Sequence, residues 1–124
     1  MTQRTVLVVE DEKISSLFLE NVLTESGYRV TATASTGAES VRAAAAEPPD
    51  VVIMDVGLRG EMDGVEAAGI IQRQLGTPVL FVTAYTLGEL ERDDALPATF
   101  DLLVKPIVEQ ELIRKLNQLL GNTR

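Results

Sequence analysis

The sequence predicts an α/β fold, a doubly wound five-stranded parallel sheet with helices on both faces. Three observations carry that expectation. Short apolar runs recur at regular intervals, stretches with helical spacing lie between them, and capping or stop residues mark the ends of most of those stretches. Apolar runs of this length, rich in Val and Ile, suit strands buried on both faces. Strands that alternate with helices are joined by crossovers and therefore pair in parallel.

Taken in order, Val6-Leu7-Val8-Val9 is the first strand. Ile14, Leu17, Phe18, Val22 and Leu23 are expected to share the buried face of a helix that Gly27 stops. Tyr28 to Thr33 alternates and suits a strand nearer a sheet edge. Thr36 and Glu39 form a capping box for a helix expected to bury Ala38, Val41 and Ala45, ended by Pro48-Pro49. Val51-Val52-Ile53-Met54 is the third strand. Asp63 then caps a helix with Glu66 three residues on, Ala67, Ile71 and Leu75 facing inward and Gly76 as its stop. Val79-Leu80-Phe81-Val82 is the fourth strand. Residues 85–99 carry a broken pattern, interrupted by Gly88, Asp93-Asp94 and Pro97, and predict a short or irregular helix. Leu102-Leu103-Val104 is the fifth strand. Leu112, Ile113, Leu116, Leu119 and Leu120 define a last helix that Gly121 stops.

With 124 residues the chain is expected to be one domain, 1–124, and 45% apolar with 24% charged residues is the balance of a globular protein. A net charge of −8 repels phosphate backbones and anionic lipid, which speaks against direct binding of nucleic acid or a membrane surface. Without Cys there is no disulfide, thiol nucleophile or thiolate zinc site; without His there is no imidazole base. Chemistry must rest on carboxylates, hydroxyls, Lys, Arg or a metal held by oxygen. The apolar run after Arg4 is too short for a signal peptide or a membrane span, so a cytoplasmic protein is expected.

In such open sheets ligands gather at the carboxyl ends of the strands. Glu10 and Asp11 follow the first run, Asp55 the third, Thr83 the fourth and Lys105-Pro106 the fifth. Each alone has an ordinary explanation as a cap, turn former or solvated loop residue. Together they are harder to explain, because three carboxylates at one sheet edge repel by a few kcal/mol per pair at an effective dielectric of about 20. A hard cation offsets this best, and Mg²⁺ accepts carboxylates, a carbonyl and waters. Lys105 adds a second positive charge and Thr83 a hydroxyl donor. Metal, cation and hydroxyl around one carboxylate suit a transferred phosphoryl group, with Asp55 as nucleophile.

The segments V-L-V-V-E-D-E (6–12), V-V-I-M-D-V-G-L-R-G-E-M-D-G-V-E (51–66), P-V-L-F-V-T-A-Y (78–85) and L-V-K-P (103–106) resemble the receiver domains of two-component response regulators. The resemblance covers essentially the whole chain. It implies a flavodoxin-like sheet of order 2-1-3-4-5. It assigns Mg²⁺ to Glu10, Asp11 and Asp55, with the backbone carbonyl of Gly57 as a further ligand. It makes Asp55 the phosphoacceptor and gives Thr83 and Lys105 contact with the phosphoryl group. It implies a cis Lys105-Pro106 bond, and Asp63-Gly64 resembles the family's usual start to its third helix. The implied donor is a histidine kinase or histidine phosphotransfer protein. The signal then passes to a downstream protein through the face made by residues 85–99, the fifth strand and the last helix, with a phosphorylation-dependent homodimer left open.

The family usually carries Tyr or Phe three residues before the lysine, where this chain has Leu102. Phe100 and Tyr85 are the candidates for a replacement switch aromatic, against a plain packing role for both. P-V-L-F-V-T-A-Y is distantly similar to a subgroup of single-domain receivers, and A-T-F-D-L-L-V-K-P to receivers of the alphaproteobacterial general stress response. An Mg²⁺-dependent phosphatase with an aspartyl nucleophile is the alternative from another class, but it needs a second Asp where Gly57 stands. A receiver-like scaffold that is never phosphorylated is another. A nucleotide site fails for want of a Gly-rich loop after the first strand. No residues for an output domain follow Arg124, so a single-domain regulator is expected, with a fragment of a larger one as the other reading.

Overall fold

The computed structural model describes residues 3–58, 60–84 and 96–121. In chain order these form β1 (Thr5–Val9), α1 (Lys13–Glu25), β2 (Arg29–Ala34), α2 (Gly37–Ala46), β3 (Val51–Asp55), α3 (Gly64–Leu75), β4 (Val79–Thr83), β5 (Phe100–Val104) and α4 (Glu109–Leu119). All strand pairs are parallel, in the order β2-β1-β3-β4-β5. The expected sheet is therefore observed. Most of the segment predicted as an irregular helix, 85–95, lies outside the described residues.

The sheet divides two cores. Leu7, Val9, Val52, Met54, Val79 and Phe81 face α2 and α3, whereas Val6, Val8, Val51, Ile53, Leu80 and Val82 face α1 and α4. Burial on both faces stabilises each large side chain by about 1.5–3 kcal/mol, yet an all-apolar strand carries no alternation to fix its register. A polar clasp at the start of β1 and β3 does so. Thr5 donates its N–H and hydroxyl to Asp50 Oδ2 at 2.8 and 3.1 Å, and Asp50 N–H donates to Thr5 Oγ1 at 3.0 Å. The result is Val6 opposite Val51 and Val9 opposite Met54. A second clasp seats β5: the Gln72 side-chain amide donates to the Thr77 and Thr99 carbonyls and accepts from Thr99 N–H.

Caps behave as their residue types dictate. Thr36 Oγ1 accepts from Glu39 N–H, although Glu39 returns its carboxylate to Ser35 N–H rather than to Thr36. Asp63 Oδ1 accepts from Glu66 N–H at 2.8 Å, and Gly76, at φ +72°, ends α3.

Three helix faces differ from expectation. On α1 the core takes Leu19, Val22 and Leu23, while Ile14 is 84% exposed and Leu17 and Phe18 are also open. At roughly 100° per residue Ile14 and Leu23 point to opposite sides, so the apolar set was too wide for one face. On α2 Gly37, Ser40 and Ala44 are buried and Ala38 and Ala45 exposed, a face one residue out of step. Its Ala-rich sequence offers little contrast between faces, and Ser40 is admitted because its hydroxyl donates to the Gly37 carbonyl at 2.7 Å. On α3 Ala67 and Ile71 are buried but Leu75 is exposed. Steps of four residues rotate the stripe by about 40° each, which carries Leu75 off the core.

Candidate functional site

Strand register delivers the side chains. Because Val9 pairs with Met54, Glu10 and Asp55 leave their strands side by side. Asp55 pairs with Val82 and Thr83 with Val104, so Thr83 and Lys105 reach the same edge. Lys105 N–H donates to the Thr83 carbonyl at 2.8 Å, and the Lys105-Pro106 bond is cis.

At this edge Glu10 is 4% exposed, Asp55 7% and Thr83 1%. One oxygen from each of Glu10, Asp11 and Asp55 lies within 4.8 Å of the others. Lys105 Nζ stands 3.5 Å from Asp55 Oδ2 and 3.8 Å from Glu10 Oε1. Asp55 Oδ1 accepts from Gly57 N–H at 2.9 Å, and Glu10 Oε2 accepts from Glu12 N–H at 3.0 Å. A cleft of about 330 Å³ opens beside Glu10 and Asp11, with Lys13, Ser16, Leu17, Thr33 and Ser35 on its walls.

Crowding leaves a signature on Glu10. Burial pushes its carboxyl from 4.5 up to about 7; the Glu12 amide works against this, Asp55 adds to it through a hydrogen bond and its charge, and Lys105 opposes it. The metal-free fold therefore holds this proton more tightly than the unfolded chain does. The resulting stabilisation is complete below pH 4.5 and is lost as pH rises through about 7. Urea midpoints of metal-free protein should fall between about pH 5 and pH 7.5, and fall less in Glu10→Gln. Equal slopes in the two proteins would contradict this account of Glu10.

The sequence brought Glu10, Asp11, Asp55, Gly57, Thr83 and Lys105 to one corner, and the structure places all six there. It does not bring Phe100. That residue opens β5, paired with Val79 at the far end of the strand from Lys105, and its ring meets Phe81 edge-on at 5.7 Å. Phe100 and Leu102 share one sheet face, packing against the core beneath α2 and α3. Tyr85 lies outside the described residues. Two groups escaped the sequence reading. Glu12 acts through its backbone N–H, which leaves no mark on residue type. The resemblance points to the carbonyl of Gly57, whereas here its N–H holds Asp55.

The family model for the response regulator receiver domain matches residues 6–117. The chain belongs to the response regulator receiver family. This receiver is 41% identical over 112 residues to the transcriptional regulatory protein KdpE of Mycobacterium tuberculosis, covering 90% of the chain and 48% of that protein. It thus spans about half the length of the curated relative. Among solved structures it superposes on the Vibrio cholerae chemotaxis protein CheY4 with a TM-score of 0.86 at 29% identity, covering 96% of this chain and all of that one. The receiver domain of the sensor histidine kinase PA1611 from Pseudomonas aeruginosa PAO1, solved with a magnesium ion in its active-site cleft, gives 0.84 at 30% identity. That match covers 97% of this receiver and 99% of the other. The chain is accordingly a signalling domain of the two-component type. Among the described residues no helix is long and apolar enough to cross a membrane.

Proposed function

We propose that residues 1–124 act as one receiver unit that takes a phosphoryl group onto Asp55 in a Mg²⁺-dependent reaction and relays the signal to a partner protein. The supporting observation is the state of Asp55: nearly buried, with one oxygen tied to the Gly57 amide and the other facing Lys105, beside two more carboxylates. Carboxylates from Glu10, Asp11 and Asp55 with the Gly57 carbonyl form an all-oxygen donor set that suits Mg²⁺, and they are the groups we assign to hold it. When bound, the ion supplies positive charge to the phosphoryl oxygens.

Asp55 Oδ2, the oxygen not engaged by Gly57, attacks phosphorus. The new O–P bond forms as the N–P bond of a donor phosphohistidine breaks, and the leaving imidazole keeps the electron pair and takes up a proton. Acetyl phosphate would lose acetate in the same way. Thr83 and Lys105 meet the phosphoryl oxygens, and their shift biases the domain between two arrangements. The receiver so read is a phosphoacceptor that catalyses only its own phosphorylation and dephosphorylation. A histidine kinase or histidine phosphotransfer protein is the donor and a cytoplasmic protein the recipient, with self-association on phosphorylation as a further outcome to measure. Ile14, Leu17 and Phe18, exposed on α1, are where we expect the donor protein to approach, since Leu17 also walls the cleft beside Asp11.

The test is a phosphate-affinity gel after incubation with acetyl phosphate. A retarded band should appear with Mg²⁺ and vanish with EDTA. No retarded band under either condition, or an equal band under both, would overturn the proposal. The chain has no Trp, so quenching of tryptophan fluorescence cannot serve as the reporter.

A further inference from the structure

Gly64, the first residue of α3, has no room for a side chain. A Cβ at this position would lie 2.2 Å from the carbonyl oxygen of Asp55, 3.1 Å from its carbonyl carbon and 3.0 Å from Val56 Cα. These are all backbone atoms, so no change of rotamer makes space. Gly37, the first residue of α2, is similarly pressed: its Cβ would lie 2.7 Å from the Met62 carbonyl oxygen and 3.1 Å from Met62 Cβ and Cγ. The stretch from Met62 to Gly64 is therefore wedged between the start of α2 and the peptide of Asp55.

We propose that Gly64 is a positioning residue for Asp55. The close seat of α3 against the Asp55 peptide sets how far that carboxylate stands from Glu10, Asp11 and Lys105, and Gly37 backs the seat by letting α2 close on Met62. The proposal rests on the reading of Asp55 as acceptor and magnesium ligand. Adding a methyl group requires movement from 2.2 Å to an ordinary contact of 3.4 Å or more. The helix cannot yield freely, because Val65, Ala67, Ala68 and Ile71 are packed in the core and Asp63 caps it through Glu66 N–H. Asp55 must take up part of the shift. Magnesium tolerates little departure from octahedral geometry, and misplacement by about 1 Å can slow a positioned reaction by about 10²-fold.

The experiment compares parent, Gly64→Ala and Gly37→Ala. It measures half-saturating Mg²⁺ from the amide resonance of Gly57, labelling rate by acetyl phosphate at saturating Mg²⁺, and urea unfolding. Gly64→Ala should unfold cooperatively, need at least about tenfold more Mg²⁺ and label about 10- to 100-fold more slowly. Simple loss of folded molecules would lower the labelled amplitude and leave half-saturation unchanged. A folded Gly64→Ala with parental half-saturation and rate overturns the proposal. Should Gly64→Ala not fold, Gly37→Ala decides: about a threefold rise in half-saturating Mg²⁺ supports the wedge, and parental values overturn it. If the parent binds Mg²⁺ but takes no label, the acceptor reading fails while half-saturation still tests Gly64. A parent that binds no Mg²⁺ overturns both.

Discussion

Asp55→Asn is expected to take up no phosphoryl group and, in metal-free buffer, to resist urea better than the parent. Both results come from one geometry. The amide has no anionic oxygen to attack phosphorus, so labelling by acetyl phosphate should fall by at least about 10³-fold. The same change removes a charge from a corner where three carboxylates approach within 4.8 Å. At that distance and an effective dielectric of about 20, each like pair repels by about 3 kcal/mol. Above about pH 7, where Glu10 gives up its proton, neutralising Asp55 removes two such pairs and one attraction to Lys105, whose side chain is about a third exposed (32%) and therefore screened. The balance favours the variant by about 1–2 kcal/mol, visible as a higher urea midpoint. Saturating Mg²⁺ should reverse the order, because the ion stabilises the protein that binds it more tightly. An Asn variant that labels like the parent removes Asp55 as acceptor. One that is less stable without metal shows that the Lys105 attraction outweighs the mutual repulsion.

The sheet was legible because its inner strands β1, β3 and β4 are buried on both faces and read as unbroken apolar runs, from Val6-Leu7-Val8-Val9 onward, and because Gly and Pro punctuate the intervals. The site was legible for a related reason: a parallel sheet sends every strand end to one edge, so the residue after each run is placed by topology alone. Glu10, Asp55 and Lys105 needed no further information. Residues placed by helix rotation were another matter. Ile14 and Leu75 satisfy a period of three or four yet point away from the core, because the pattern does not say where a helix overhangs its sheet. Backbone roles were hidden too. The amides of Glu12 and Gly57 hold the carboxylates, and Gly64 lies under Asp55, through atoms that all residues share.

The exposed trio on α1 gains its meaning from that error. Had Ile14, Leu17 and Phe18 been buried as the spacing suggested, the rim beside Glu10 and Asp11 would be polar. Instead Leu17 walls the cleft beside Asp11 while Ile14 and Phe18 are exposed on the same helix, so under the proposed function a donor protein would bury apolar area next to Asp55.

Lys105→Ala should move two measured quantities in opposite directions, which separates its charge from its contact with phosphate. Lys105 Nζ sits 3.5 Å from Asp55 and 3.8 Å from Glu10, offsetting charge that a cation would otherwise meet. Removing it leaves the corner more negative, and Mg²⁺ should bind about fivefold more tightly by calorimetric titration, roughly 1 kcal/mol of relieved repulsion in a partly solvated site. Labelling should nonetheless slow by about 10²-fold, because the transferring group loses the side-chain cation that stands 3.5 Å from Asp55 Oδ2. Lys105→Arg keeps the charge but replaces a compact ammonium by a broad planar group, so its Mg²⁺ affinity should stay near the parent while labelling remains impaired. Were Lys105→Ala to weaken Mg²⁺ binding, the ammonium would be holding the carboxylates in place rather than competing with the ion. Lys105 would then not compete with the ion, and the corner would not be balanced between two cations.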